Sequence, residues 1–243
     1  MAAAMGYQCV ECGFAIRTLY VQYSPGNIRL MKCENCKSVA DEYIECEFMI
    51  ILIDLILHKP KAYRHLLFNV LNQKSAVIEG LLRNAIWGFV LLDGYRCMLL
   101  HWQEGERRGS SSSIISLFWR YRKVFMACLV GNSLFLCVFL LATRILLNSS
   151  LTFSRFRDLL LVILVSSYFK IFLITMMVWE FPLSVILIID LFVVSSNTVA
   201  LKVTTGSSTA RCLGICFSAH CVKLIATHVL ELPHTMWKNN FSG

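Results

Sequence analysis

Apolar residues dominate the second half of the chain in four long stretches. These cover roughly residues 124–147, 159–179, 183–201 and 212–230. Each stretch approaches or exceeds the ~20 residues that an α-helix needs to cross about 30 Å of hydrocarbon. The pattern therefore predicts a bundle of about four transmembrane helices within residues 124–230, followed by a C-terminal tail at residues 231–243.

The first half of the chain has a mixed pattern that favours amphipathic helices. Residues 41–58 begin with acidic side chains and continue as an apolar run that is too short to cross a bilayer. Pro60 is expected to end this helix, since proline lacks the N–H that a helix interior needs. Residues 70–103 are apolar but carry charges such as Asp93 and Arg96, so we expect an amphipathic or partly embedded helix rather than a span.

Polar residues separate these helices from the predicted bundle. The run Glu104–Ser113 is rich in glycine, serine and charge, which is typical of a flexible linker. Arg120-Tyr-Arg-Lys123 follows just before the first long apolar stretch and predicts a basic anchor on the cytosolic side. We therefore assign residues 104–123 to a linker and an anchor.

Residues 7–38 are predicted to form a small β-hairpin domain. Arg17–Tyr23 and Ile28–Met31 are rich in β-forming residues, and Ser24-Pro-Gly-Asn27 between them is a turn signal. A Cys-x-x-Cys pair lies at each end of this hairpin. Two short strands between two such corners describe a zinc ribbon, a domain that buries too little surface to fold without its metal.

The two cysteine pairs supply four candidate metal ligands, Cys9, Cys12, Cys33 and Cys36. Zinc prefers four tetrahedral sulfur or nitrogen ligands, and two rigid Cys-x-x-Cys corners provide four thiolates. Metal catalysis or redox chemistry is the alternative interpretation. Catalytic zinc keeps a water ligand, however, whereas four thiolates close the site. We therefore expect a structural zinc ion.

Composition adds a membrane setting and a direction to this pattern. Hydrophobic residues make up 57% of the chain and the mean hydropathy is +0.63, whereas charged residues make up only 16%, against roughly 25% in a soluble domain. Of the 23 lysine and arginine residues, 15 lie at or before Lys123. This bias favours a cytosolic head that faces anionic lipid. We expect no nucleic-acid partner.

A basic segment, residues 58–65, follows the predicted amphipathic helix. We hypothesise that Lys59, Lys61, Arg64 and His65 contact lipid head groups. Cations beside a tyrosine suit the boundary between water and lipid. The alternative is a helix end with solvated charges.

Two charges, Lys170 and Asp190, lie near the middle of successive predicted spans. Their depths match, and buried charges in a bilayer usually pair or line a polar path. We therefore predict an intramembrane pair, which either locks two helices together or lines a site for a lipid head group. His220, Lys223 and His228 in the last stretch are weak as a metal set, and one polar helix face is the preferred interpretation.

The sequence offers no catalytic constellation. It contains no serine-centred nucleophile elbow, no phosphate-binding glycine loop and no histidine-rich membrane metal cluster. Asp54 and His58 have the spacing of an acid–base pair, but a hydrogen-bonded i,i+4 pair at the membrane boundary is the simpler interpretation. We therefore expect a protein that is not an enzyme.

Residues 7–69 resemble the Arv homology domain, which opens the Arv proteins. The resemblance is carried by the two cysteine pairs, by Leu19–Ser24, by Val39-Ala-Asp-x-Tyr-Ile-Glu45 and by the run from Ile53 to Asn69. It is specific, because two separate motifs occur in the same order. Beyond residue 69 the resemblance is only architectural.

This resemblance implies a protein of the endoplasmic reticulum that mediates sterol homeostasis and lipid transport and also affects sphingolipid metabolism. The implied partners are sterols and other membrane lipids, with enzymes of lipid synthesis as further partners. The alternatives are a scaffold for enzymes that synthesise glycosylphosphatidylinositol and, less favoured, a lipid-modifying enzyme. The metal ligands implied by the family motif are the same four cysteines.

The expected architecture is a mainly α-helical membrane protein with a small N-terminal zinc-ribbon domain. Residues 1–69 form an Arv-like domain that contains the zinc ribbon, the amphipathic helix 41–58 and the basic segment. The second amphipathic helix, the linker and about four transmembrane helices follow. The head should face the cytosol, and the multi-pass bundle should lie in the membrane of the endoplasmic reticulum.

Overall fold

The structure is a computed structural model that describes residues 7–71, 75–107, 114–146, 153–177, 182 and 184–231. The chain falls into two compact units. The first contains the residues up to Arg83 together with Val199–Gly206, and the second contains Asn84–Thr198 with the residues from Ser207 onward. We call residues 7–71 the head and the described residues of the second unit the bundle.

The head begins with two small antiparallel sheets. Strand β1, Tyr7–Gln8, pairs with β2, Ala15–Ile16, and β3, Tyr20–Ser24, pairs with β4, Asn27–Leu30. Gly26 turns the second hairpin with a φ of 83°, a conformation that glycine adopts without steric cost. The hairpin predicted between the cysteine pairs is therefore confirmed.

The helix predicted over residues 41–58 is divided. A 3₁₀ turn, Glu42–Ile44, precedes the separate helix α1, Phe48–Ile56. Proline does not end this helix but begins the next one, α2, Pro60–Arg64. At the first position of a helix the missing proline N–H costs nothing, because that N–H would have no helical partner. Helix α2 continues as a π-helical turn, His65–Val70.

Long helices make up the rest of the described chain. They are α3, Ser75–Arg107; α4, Ile114–Leu146; α5, Phe153–Ser166, with a 3₁₀ continuation at Ser167–Met177; α6, Ser184–Thr205; and α7, Thr209–Glu231. Among the residues that the structure describes, four segments are long and apolar enough to cross a membrane: Tyr121–Leu146, Phe156–Thr175, Ser184–Thr205 and Thr209–Leu230. The prediction of a mainly helical membrane protein with four spanning helices is confirmed.

The segment predicted as linker and anchor, residues 104–123, is helical at both of its ends. Helix α3 continues to Arg107 and α4 begins at Ile114, so the basic anchor is part of a helix. Extending an existing helix gains one hydrogen bond for each residue fixed, which favours continuation beyond the apolar pattern. Residues 108–113 lie outside the described part of the chain, as do residues 232–243 of the predicted tail.

Helix α3 turns charged side chains inward and apolar side chains outward within the bundle. Asp93 is fully buried and Arg96 is 6% exposed, whereas Trp87 and Leu91 are 62% and 64% exposed. A helix on the surface of a soluble protein has the reverse arrangement. Interior charges with outward apolar residues are typical of a helix that faces lipid. Of the two interpretations offered for this segment, the embedded helix fits this part of α3.

Helices α4 and α7 approach each other closely at Gly131. A Cβ atom added there would lie 2.7 Å from Thr227 Oγ1 of α7, which is inside van der Waals contact. The Thr227 hydroxyl is itself held, because it donates to the Lys223 carbonyl at 2.7 Å. Glycine is therefore required for this packing.

Gly131→Ala should lower the free energy of unfolding by about 1–3 kcal/mol, the usual cost of overpacking a core. The measurement is thermal or denaturant unfolding of the full-length protein in detergent micelles. Gly214→Ala in α7 is the matched control, because nothing lies within 4 Å of the added methyl group. Equal stability of the two variants would contradict the close approach at Gly131.

Candidate metal centre and buried charge cluster

Four cysteine sulfurs in the head lie close enough together to hold one metal ion. The Sγ atoms of Cys9, Cys12, Cys33 and Cys36 all lie within 4.8 Å of one another. Cys9 and Cys36 are 3.7 Å apart, and Cys12 and Cys33 are 3.6 Å apart. Four thiolates at about 2.3 Å from a tetrahedral zinc ion lie about 3.8 Å from each other, so the donors and their spacing fit zinc.

The two Cys-x-x-Cys turns are closed by the same backbone hydrogen bond. The N–H of Gly13 donates to the Cys9 carbonyl at 2.9 Å, and the N–H of Lys37 donates to the Cys33 carbonyl at 3.0 Å. Gly13 and Lys37 each follow the second cysteine of a pair, with φ values of 75° and 64°. Glycine adopts this left-handed conformation freely, whereas lysine does so at a steric cost.

The thiols differ in how readily they lose a proton before a metal binds. Burial raises the pKa of Cys9 to about 12. Burial also acts to raise the pKa of Cys12, but hydrogen bonds from the Phe14 N–H and the Asn35 side chain outweigh it and lower that pKa to about 6. A bound cation would stabilise all four thiolates together. The site can hold a metal, and zinc as its occupant stays a prediction.

Arg64 holds the first cysteine corner in place. Its Nη1 donates to the carbonyls of Val10 and Glu11, both at 2.8 Å. These carbonyls belong to the turn between Cys9 and Cys12, so the guanidinium connects α2 to the metal centre. Sequence reasoning assigned Arg64 to lipid head groups, but the structure directs its charge into the head.

His65 lies in the interior of the head. It is 6% exposed, and its Nδ1 lies 2.7 Å from Asp41 Oδ2. Asp41 is fully buried and also accepts from Asn69 Nδ2 at 2.7 Å and from the Tyr43 N–H at 3.0 Å. The burial of His65 contradicts its predicted contact with lipid head groups.

Asn69 joins this network to the first strand. Its Oδ1 accepts from the Gln8 N–H at 2.9 Å, and its Nδ2 donates to the Gln8 carbonyl at 3.0 Å. The side chain thereby satisfies both backbone groups of Gln8, as a neighbouring strand would.

A cleft of about 500 Å³ opens beside Asp41, His65 and Asn69. Because His65 and Asn69 both bond to Asp41, we assign these three side chains to holding the head together.

Lys59 and Lys61 keep partly exposed side chains on the basic segment. Lys59 pairs with Asp54 at 2.7 Å, and Lys61 pairs with Glu11 and, at 3.5 Å, with Glu42. The hydrogen bond from Lys59 keeps the pKa of Asp54 below its usual range. Contact of these two lysines with lipid head groups stays a prediction.

Asp54 and His58 do not form the i,i+4 arrangement suggested by their spacing. Helix α1 ends at Ile56, and His58 has a φ of 56°, outside the helical range. Asp54 instead accepts from the Tyr43 hydroxyl at 2.8 Å. The acid–base interpretation therefore has no support from this geometry.

A second group of candidate residues lies inside the bundle around Asp93. Its Oδ1 accepts from Lys170 Nζ at 2.9 Å and from Lys223 Nζ at 2.7 Å. Lys170 comes from the 3₁₀ continuation of α5, and Lys223 comes from α7. The Phe89 ring centroid lies 3.6 Å and 5.3 Å from these two ammonium groups. One carboxylate oxygen thus connects three helical elements.

Arg96 and Asp190 form a neighbouring ion pair. Arg96 Nε lies 3.1 Å from both carboxylate oxygens of Asp190, and Arg96 Nη2 also donates to Oδ2. The predicted pairing of Lys170 with Asp190 is therefore wrong, because each of them pairs with α3. Sequence reasoning placed α3 outside the bundle, although Asp93 and Arg96 are three residues apart and share one helical face.

Hydrogen-bonded side chains add further polar groups to the interior of the bundle. Asn197 Oδ1 accepts from Ser166 Oγ at 2.6 Å, and Asn197 Nδ2 lies 3.3 Å from His220 Nε2. His220 and Lys223 both bond into the interior, in agreement with the polar face predicted for the last span. His228 is exposed and does not belong to that face.

Cys97 and Cys128 lie beside Asp93 and also match a metal site by spacing. One ligand atom from each of the three residues lies within 4.8 Å of the others, and Cys128 Sγ donates to Asp93 Oδ2 at 3.3 Å. The carboxylate, however, already binds Lys170 and Lys223. Two ammonium groups at this position repel a cation, so we assign no metal here.

Comparison with known proteins provides a family context. The model of the Arv1-like family matches residues 8–201. Protein ARV 1 and Protein ARV 2 of Arabidopsis thaliana are 48% and 50% identical to the chain, over 94% and 91% of its length and 91% and 93% of theirs. Protein ARV1 of Homo sapiens is 31% identical over 84% of the chain and 74% of its own length. No solved structure matches the chain.

Arg64→Gln should loosen the metal centre, because two hydrogen bonds from a charged group to backbone carbonyls are lost. We expect the head to lose about 2 kcal/mol of stability and to release zinc faster to a chelating dye. Lys61→Gln is the matched control, since it removes one charge from the same helix but breaks only exposed ion pairs. Equal release rates would argue against the role of Arg64.

Arg96→Leu and Asp190→Leu should each lower stability by about 3 kcal/mol, because each leaves a largely buried partner charge unpaired. The double variant should recover most of that loss. Unfolding of the full-length protein in detergent yields the coupling energy between the two residues. Strictly additive losses would show that the two side chains do not pair.

Proposed function

Because this chain belongs to the Arv1-like family, we propose that it mediates sterol homeostasis and the transport of sterols and related lipids from the endoplasmic reticulum. Family membership supports a role in lipid homeostasis in general. The spanning helices make it a multi-pass membrane protein. Its location in the endoplasmic reticulum, a cytosolic head and an effect on sphingolipid metabolism are parts of the proposal.

Charges buried between apolar helices are the observation that carries this proposal. Asp93, Lys170 and Lys223 are each at most 5% exposed. Charges inside a bilayer are costly, and they commonly mark the path of a polar substrate. A membrane lipid combines a polar head group with apolar tails, and a polar interior surrounded by apolar helix faces suits both parts.

We propose a structural role for the metal centre. Four thiolates complete the coordination of a zinc ion and leave no position for a substrate. Arg64 and the Asp41 network hold the surrounding backbone. On this account zinc keeps the head folded, and lipid is handled elsewhere.

We place the lipid contact of the head on α1, with Lys59 and Lys61 beside it. Four large apolar side chains on one side of this helix and its end are about half exposed: Met49, Ile50, Ile53 and Leu57. Leu55 on the opposite side is buried. An exposed apolar face of this kind fits the interfacial region of a bilayer, and the adjacent lysines suit anionic head groups.

A scaffold for enzymes that synthesise glycosylphosphatidylinositol is the second candidate function. All five residues of β3 are exposed, including Tyr20 and Tyr23. Exposed tyrosines are enriched in protein–protein interfaces, which favours a protein partner for this hairpin. A lipid-modifying enzyme is the least supported candidate, because a four-thiolate metal site has no open coordination position.

Lipid transfer between vesicles separates these candidates. The full-length protein in donor vesicles should move a fluorescent sterol or phospholipid to acceptor vesicles without other proteins. Lys170→Gln should slow transfer about tenfold, equivalent to ~1.4 kcal/mol in the barrier, because it removes one buried charge while Asp93 keeps Lys223 as its partner. Gly214→Ala should leave the rate unchanged.

Other outcomes of this assay favour the alternatives. Co-purified enzyme subunits with no transfer would support the scaffold. A chemically altered lipid in the vesicles would support the enzyme. Either result would replace the proposal of direct transport.

A tryptophan introduced at Ile53 should report contact between α1 and lipid. With the full-length protein in vesicles, Ile53→Trp should add fluorescence that brominated lipid quenches, because the side chain enters the interface. Tyr23→Trp on the exposed hairpin is the matched control and should add fluorescence that acrylamide in water quenches. Quenching of the Ile53→Trp signal by acrylamide alone would place α1 in water.

A further inference from the structure

We propose that Lys170 and Lys223 bind the phosphate group of a lipid. This rests on the proposed function, because it names the chemistry of the lipid that the buried cluster handles. The binding residues come from the 3₁₀ continuation of α5 and from α7. Both elements belong to segments that are apolar enough to cross a membrane.

The buried cluster carries one more positive than negative charge. Asp93 and Asp190 supply two carboxylates, whereas Arg96, Lys170 and Lys223 supply three cations. Arg96 and Asp190 neutralise each other in a two-pronged pair. The excess charge therefore lies on the two lysines, which share Oδ1 of Asp93.

The two ammonium groups also have more donors than acceptors. Each ammonium carries three N–H bonds. Within the described bundle, the hydrogen bonds of Lys170 and Lys223 go to Asp93 Oδ1. The Phe89 ring lies against Lys170, but a neutral ring cancels no charge. A buried cation whose charge is not balanced by a nearby anion is costly. An anionic hydrogen-bond acceptor would balance the remaining positive charge and accept from the unused N–H groups.

The surroundings favour a lipid phosphate over other anions. Lys170 is 2% exposed and Lys223 is 5% exposed, between helices whose outer faces are apolar. An anion attached to acyl chains enters such a setting with the hydrophobic effect in its favour. Phosphate oxygens also accept from two ammonium groups at once, and lysine is a frequent phosphate ligand.

Two features near the lysines fit a head group. Lys170 lies on a 3₁₀ segment of 11 residues, Ser167–Met177, and long 3₁₀ stretches often mark functional hinges. Asn132 donates to Cys128, which in turn contacts Asp93. The Asn132 Oδ1 atom is buried and has no partner among the described residues, so it offers an acceptor for a hydroxyl of the head group.

Short-chain phosphatidic acid is the probe that tests this site, because its head group is a single phosphate. Added to lipid-depleted full-length protein in detergent, it should bind saturably and raise the unfolding temperature. Diacylglycerol with the same chains should not do so, and inorganic phosphate should bind much more weakly. Binding of diacylglycerol as tight as that of phosphatidic acid would overturn the phosphate site. Equal binding of inorganic phosphate would overturn its assignment to a lipid.

Lys170→Gln and Lys223→Gln should each weaken binding of phosphatidic acid about tenfold or more, because one charge-assisted hydrogen bond is lost. Without lipid, each variant should be at least as stable as the parent, since the cluster is then neutral. Lys202→Gln at an exposed position of α6 is the matched control and should change neither property.

Two results with the lysine variants would overturn the site. One is unchanged binding of phosphatidic acid in both variants. The other is a marked loss of stability or folding in both, because that would show that Asp93 alone accounts for the two lysines. Binding of phosphatidic acid with no vesicle transfer would leave this site standing and remove the transport proposal. Transfer of lipid without binding of phosphatidic acid would remove this site and leave the transport proposal standing.

Discussion

A charge buried between apolar helices must find its partner within the protein, and this requirement organises the bundle around Asp93. The carboxylate binds Lys170 and Lys223, and Arg96 on the same helix binds Asp190. In lipid, apolar helices gain little from the hydrophobic effect when they pack together. The cost of leaving a buried charge unpaired reaches several kcal/mol and therefore fixes the mutual register of α3, α5, α6 and α7.

The head uses a buried carboxylate in the same way on a smaller scale. Asp41 accepts three hydrogen bonds, and Asn69 extends that network to the first strand. Arg64 then ties α2 to the cysteine corner. The cysteine corners, the carboxylate and the guanidinium together form a rigid support, and the apolar side of α1 stays exposed for contact with other molecules.

Features that depend on local physics could be predicted from the sequence. Cysteine spacing, the turn between two strands and the length of the apolar stretches each determine their structure within a few residues. The predictions failed for side chains whose bonding partner lies far away in the sequence. Arg64 and His65 were assigned to lipid as cations, but backbone carbonyls and Asp41, 24 residues before His65, bind them. Asp93 and Arg96 lowered the hydropathy of α3, which concealed its place beside the spanning helices.

If Asp93, Lys170 and Lys223 handle lipid, removing these three charges together should abolish transport without unfolding the bundle. The variant Asp93→Leu/Lys170→Leu/Lys223→Leu replaces the charges by apolar side chains, a change that often preserves or raises stability. Its lipid transfer between vesicles, measured beside its unfolding temperature, is the most direct test. We predict a folded protein that no longer transfers lipid. A folded triple variant that transfers lipid at the parent rate would contradict the account.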